Sequence, residues 1–88
     1  MSEMVHERAI TLADGKGRRF DLARVHAEEQ PGGTWQGWIE FRSAEGESVS
    51  TERETTQSNR EGVTYWATGL EPIFLEGALQ GATARKRR

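Results

Sequence analysis

Eighty-eight residues, 34% of them hydrophobic, suffice for one small core and leave no room for a second. The absence of cysteine excludes a disulfide framework, thiolate catalysis and cysteine-ligated zinc. The formal net charge of −2 conceals an asymmetry: Arg85, Lys86, Arg87 and Arg88 are four of the 12 basic residues, so residues 1–84 hold 8 against 14 acidic and stand at −6.

The opening Met1-Ser2-Glu3-Met4-Val5-His6-Glu7 lacks a cationic stretch followed by an apolar run, so no secretory leader is expected. No apolar segment approaches the roughly 20 residues that span a bilayer. These features predict a cytoplasmic protein without membrane association. It is expected to form a single β-rich domain over 1–84 with a flexible basic tail over 85–88.

Turn signals recur at Asp14-Gly15-Lys16-Gly17, Pro31-Gly32-Gly33, Glu45-Gly46 and Ser58-Asn59-Arg60-Glu61-Gly62. Between them lie short runs rich in β-branched and aromatic residues, the mark of antiparallel hairpins. The spacing predicts strands over 4–12, 19–29, 34–43, 48–56 and 63–69. A first turn centred on Lys16 sets Leu12 opposite Phe20, Ile10 opposite Leu22, Ala9 opposite Ala23 and Val5 opposite Ala27. A tighter turn at Asp14-Gly15 loses this matching, and a one-residue slip moves every side chain to the other face.

Centring the second turn on Gly32 sets Val25 opposite Ile39 and Ala23 opposite Phe41. Gly37 then faces Ala27, where a missing side chain permits close approach or a bend. Together the two registers predict an apolar face of Val5, Ala9, Ala23, Val25, Ala27, Ile39 and Phe41. The reverse face mixes Ile10, Leu12, Phe20, Leu22 and Trp38 with His6, Arg8, Arg24, His26, Glu40 and Arg42. The fourth run has Val49 as its one large apolar residue and suits a charged, exposed edge. The fifth, Val63-Thr64-Tyr65-Trp66-Ala67, is β by composition. After Gly69 the pattern turns helical, predicting a short extended segment to Leu75 and a helix over 75–84. The fold class expected is mainly β (α+β): a five-stranded antiparallel meander curled into a small barrel-like sheet, with one C-terminal helix.

Residues able to carry chemistry are few. His6 and His26 fall opposite each other, but two imidazoles are short of a zinc ligand set, and no metal or cofactor is implied. Asp14-Gly15-Lys16-Gly17-Arg18 lacks phosphate-loop spacing. Serines over 48–58 have no histidine beside them in that half of the chain. No enzyme is expected. The candidate binding residues are Trp38 with Arg8, Arg24 and His26 on one face, joined by Lys16, Arg18 and Arg19 in the first loop and the tail Arg85, Lys86, Arg87, Arg88. Arg24 opposite Glu40 is expected to be an ion pair. An aromatic anchor among charges points to a non-enzymatic binding or interaction module with a protein partner or self-association. The alternative is a weak single-stranded nucleic-acid binder using the basic loop, a surface tryptophan and the tail.

Overall fold

Three loops of one kind fold the first half of the chain in the computed structural model, which describes residues 2–84. In each, the carbonyl of the first residue accepts from the amide of the fourth, and its own amide donates to the carbonyl of the fifth. The participants are Asp14 with Gly17 and Arg18, Gln30 with Gly33 and Thr34, and Ser43 with Gly46 and Glu47. The fourth residue has φ of 81°, 93° and 90° respectively, a region glycine enters without steric cost. This three-residue loop with its glycine bulge is the wider turn expected around Lys16.

The loops join β1 (Ser2–Ala13), β2 (Arg19–Glu29), β3 (Trp35–Arg42) and β4 (Ser48–Ser50) into an antiparallel meander, and β5 (Thr55–Gln57) pairs with β3 beyond β4. Two helices follow, α1 (Arg60–Thr68) and α2 (Pro72–Gly81). The second hairpin has the expected register: Ala23 pairs with Phe41, Val25 with Ile39 and Ala27 with Gly37.

The fourth strand is formed but interrupted. β4 sets Glu40 against Ser50, and β5 sets Gly37 against Thr55, so residues 51–54 loop out of a single lane beside β3. Thr51 bridges the gap: its hydroxyl accepts from Ile39 N at 3.0 Å while its own amide donates to Ile39 O at 2.9 Å.

Three expectations are corrected. The sheet is open rather than closed into a barrel: β1 has one neighbour, β2, and the β4–β5 lane forms the other side. With extents of 39 × 32 × 18 Å, the molecule is one sheet under one layer of helices. The segment 63–69 is no strand: residues 60–68 form α1 instead, packed across the sheet. Asn59 caps it, its side chain accepting from Gly62 N at 2.7 Å, and Val63 and Ala67, one turn apart, are both fully buried. The last helix starts at Pro72 rather than Leu75, so Ile73 and Phe74 are helical rather than extended. Pro72 suits that position because its missing amide would have no partner there.

The first hairpin also departs from expectation. It begins in register, Leu12 with Phe20, then shifts between Leu12 and Ala9 and again between His6 and Met4. The first shift pairs Arg8 with Ala23, His6 with Val25 and Glu7 with Arg24. Each bulge adds a residue to β1 and so exchanges its faces. Ala9 becomes exposed, while Ile10 and Leu12 pack against a core containing Phe20. His6 and Arg8 leave the mixed face for the helix side, and the His6–His26 pairing does not form.

Arg8 finds a structural partner there. Its guanidinium donates to Leu70 O at 2.9 Å, Ala67 O at 3.2 Å and Thr68 O at 3.5 Å, all at the carbonyl end of α1. That end holds no basic residue of its own, so Arg8 meets the terminal carbonyls and the negative pole of the helix. At the other end of α1, Arg60 Nε reaches Glu3 Oε1 at 2.6 Å. Helix α1 is therefore tied to β1 at both ends and lies across β1, β2, β3 and β5. Helix α2 inserts Leu75 and Leu79 into the core, and Thr83 then pairs with Ser50 at the edge of β4.

The glycines divide by environment. A Cβ on Gly37 would stand 2.7 Å from Val63 Cγ1 and 3.0 Å from Thr55 Cγ2, so the close approach expected at this position is the seat of α1. A Cβ on Gly77 or Gly81 would meet nothing within 4 Å. Each of those costs α2 about 1 kcal/mol relative to alanine.

Two outcomes follow for stability. Gly37→Ala lowers it by roughly 1–3 kcal/mol through overpacking, whereas Gly77→Ala raises it by about 1 kcal/mol. Thermal melts will read the two as shifts of opposite sign. Arg8→Met keeps the apolar stem but leaves helix carbonyls unmet, costing about 1–2 kcal/mol in denaturant titration.

Candidate functional site

Because the helices cover one side of the sheet, the side chains of the other side have no layer above them. Alternation along β2 and β3 places Arg24, His26, Trp38, Glu40 and Arg42 there, as the second register required. Ser48 joins them opposite Arg42, and the bulges of β1 bring in Met4 opposite His26 and Glu7 opposite Arg24.

Glu40 organises the centre. His26 Nε2 lies 2.8 Å from Glu40 Oε1, while Arg42 NH1 and Ser48 Oγ donate to Glu40 Oε2 at 3.0 and 2.8 Å. An ionised carboxylate only accepts, so Nε2 of His26 carries a proton. The imidazole stacks on Trp38, with ring centroids 5.7 Å apart and planes inclined by 20°. Partial burial works to raise the pKa of Glu40, but hydrogen bonds from His26, Ser48 and Arg42 outweigh it and hold the carboxyl below its ordinary range.

The expected Arg24–Glu40 pair is replaced. Arg24 Nε instead meets Glu7 Oε2 at 2.7 Å across β1. Strand parity from the turn puts Glu7 on the opposite face with Val5 and Ala9, and the bulge between Ala9 and Leu12 brings it round. The face thus holds two acid-centred groups, Glu40 with His26 and Arg42, and Glu7 with Arg24, beside a half-buried indole.

The other candidates lie elsewhere. Arg8 faces the helices, as described. Arg18 is held by Asp14, whose carboxylate accepts from Lys16 N at 2.9 Å, Arg18 N at 2.9 Å and Arg18 Nε at 2.8 Å. Desolvation opposes ionisation of Asp14, and these hydrogen bonds outweigh it, lowering its pKa. Arg18 also sits 5.6 Å above the Phe20 ring. Arg19 lies 3.4 Å from Asp21, both well exposed. Lys16 makes no ion pair among the described residues. Arg85, Lys86, Arg87 and Arg88 lie outside the described residues. Trp35 and Trp66 pack against the core, and Trp66 also meets Phe74 edge to face at 6.3 Å.

The sequence reading missed the outer surface of the helices. Tyr65 is 83% exposed, Ile73 76% and Phe74 41%. Helical phasing of Ile73, Gly77 and Gly81 was available as a signal, but reading Ile73-Phe74-Leu75 as extended concealed it. Among the described residues no group of three His, Cys, Asp or Glu side chains could hold a metal ion, and no helix is long and apolar enough to cross a membrane. Compared with protein-family models, curated proteins and solved structures, the chain shows no match.

The Glu40 cluster gives a pH signature. A carboxyl whose folded pKa lies below its unfolded value contributes stability that is present above the unfolded value and lost as pH falls through the folded one. Glu40→Gln is therefore expected to cost about 1.5–3 kcal/mol at pH 7. Its deficit against the natural chain should narrow through the acid limb, below the ordinary glutamate value of 4.5. Urea titrations from neutral to acid pH will measure it, and a constant gap would show that the cluster does not depend on the charge.

Proposed function

We propose that this protein is a non-enzymatic interaction module that binds a protein partner through its open sheet face in the cytoplasm. The observation that carries this reading is the uncovered face itself, where Trp38 is stacked on an imidazole that Glu40 and its donors hold in place. An aromatic anchor braced before contact loses little rotamer freedom on binding, and a ring of charged groups supplies register. Arg24, Arg42, Glu7 and Glu40 are matched within the face, so a partner meets local dipoles and paired charges rather than a field of one sign.

That matching is also why the alternative, a weak single-stranded nucleic-acid binder, ranks second. Phosphate tracking needs cations free to exchange their counterions. Here Arg18, Arg24 and Arg42 are each committed to a carboxylate.

Trp38→Ala separates the readings. Partners recovered with the natural chain from a lysate should be lost by about tenfold or more with Trp38→Ala and retained with Tyr65→Ala. An unchanged set of partners would remove the open face from consideration. Binding of a labelled single-stranded oligonucleotide at low salt that falls steeply with added salt would favour the nucleic-acid reading.

A further inference from the structure

Helix α2 is built at a disadvantage that its own fold does not explain. Gly77 and Gly81 weaken the helix, yet neither has positive φ and neither adjoins another part of the molecule. Gly37, by contrast, is required by the seating of α1. What Gly77 and Gly81 do create is a groove of about 520 Å³ between α2 and the 51–54 loop, walled by Thr51, Glu52 and Glu54 on one side and Ile73, Phe74, Ala78 and the two glycines on the other.

The groove is apolar and incompletely covered. Ile73 is 76% exposed and Phe74 41%. These two residues also border a second hollow of about 320 Å³ toward Tyr65 and Leu70, so the apolar surface continues from α2 onto α1. Large apolar side chains grouped in this way mark an association surface rather than ordinary surface scatter. An aliphatic ridge beside bare helix backbone fits another helix, which can approach closely only where side chains are missing.

Charge selects the occupant. Glu52 and Glu54 stand on one wall, and helical phasing places Glu76 on the other flank of the Ile73–Gly77–Gly81 stripe. No cation pairs with any of the three among the described residues. A second copy seated here face to face would set these carboxylates against their own kind.

We infer that the α2 groove is a docking site for a cationic amphipathic helix of another protein, one with a small or aliphatic seam flanked by Lys or Arg. This surface lies on the helix layer and is independent of the open sheet face. The aliphatic seam lies on Gly77 and Gly81 against Ile73 and Phe74, and the flanking cations reach Glu52, Glu54 and Glu76.

The test uses the full chain and a fluorescent helical peptide of roughly five turns, with a leucine–alanine seam flanked by lysines, beside a twin carrying glutamate for lysine. Fluorescence anisotropy is expected to show binding of the lysine peptide alone. Gly77→Leu with Gly81→Leu fills the groove and should lower affinity by about tenfold or more. Glu52→Gln with Glu54→Gln and Glu76→Gln should lower it and flatten its salt dependence. Trp38→Ala should leave it unchanged, so a failure here is distinguishable from a failure of the open-face reading. Because Gly77→Leu improves helix propensity, a retained melting temperature shows that lost binding is not lost folding. Three results would each overturn the proposal: equal binding of both peptides, lysine-peptide binding indifferent to the filled groove, or a concentration-dependent dimer that the filled groove abolishes. The last would make a second copy the occupant.

Discussion

Helix α1 rests on the sheet at one point where nothing larger than hydrogen fits, Gly37 beneath Val63. The contact fixes how near the helix lies, and the ties from Glu3 and Arg8 on β1 fix its direction. With α1 seated, one face of the sheet becomes a core in which Phe20, Ile39, Phe41 and Val63 are fully buried. Each such side chain adds about 1.5–3 kcal/mol relative to exposure, a large share of what an 88-residue chain can gather. The same act leaves the other face uncovered. Core and open face are two consequences of a single placement.

The two exposed surfaces differ in kind. The sheet face is polar and organised before any partner arrives: one carboxylate, Glu40, accepts from three donors and holds an imidazole against an indole. The helix layer presents the opposite, exposed aliphatic and aromatic groups beside carboxylates that pair with no cation among the described residues. A polar network satisfied within the chain contributes rigidity and register. An apolar groove contributes area. The 51–54 loop joins the two surfaces structurally, because the interruption between β4 and β5 that lets Thr51 bond both backbone groups of Ile39 also raises Glu52 and Glu54 to the groove.

The departures from the sequence reading have local causes. Gly32-centred pairing was legible because strand parity and apolar matching agreed on one answer, and β2 and β3 contain no shift between them. β1 offered the same alternation, yet the bulge between Ala9 and Leu12 reversed the assignments of Arg8, Glu7 and His6. A bulge adds one residue without changing composition, so parity carried from the turn misassigns the residues from it to the next bulge. In Val63-Thr64-Tyr65-Trp66-Ala67, β propensity pointed one way while the Asn59 cap and the spacing of Val63, Ala67 and Leu70 pointed the other. Burial of Val63 and Ala67 along one helical face outweighed propensity. Of the candidate site, Trp38, Arg24 and His26 were legible as neighbours, whereas Glu7 was not.

Sequence alone determined the three glycine loops, the Val25–Ile39 layer and the grouping of Trp38, His26 and Arg24, since these depend on positive φ and on alternation within single hairpins. Tertiary structure decided which side of the sheet the helices cover, where β1 slips, that Arg8 completes a helix instead of lining a binding face, and that the sheet stays open. Those outcomes turn on contacts between residues as distant in the chain as Arg8 and Leu70. No local pattern encodes them, because the energy that selects them exists only once both partners are in place.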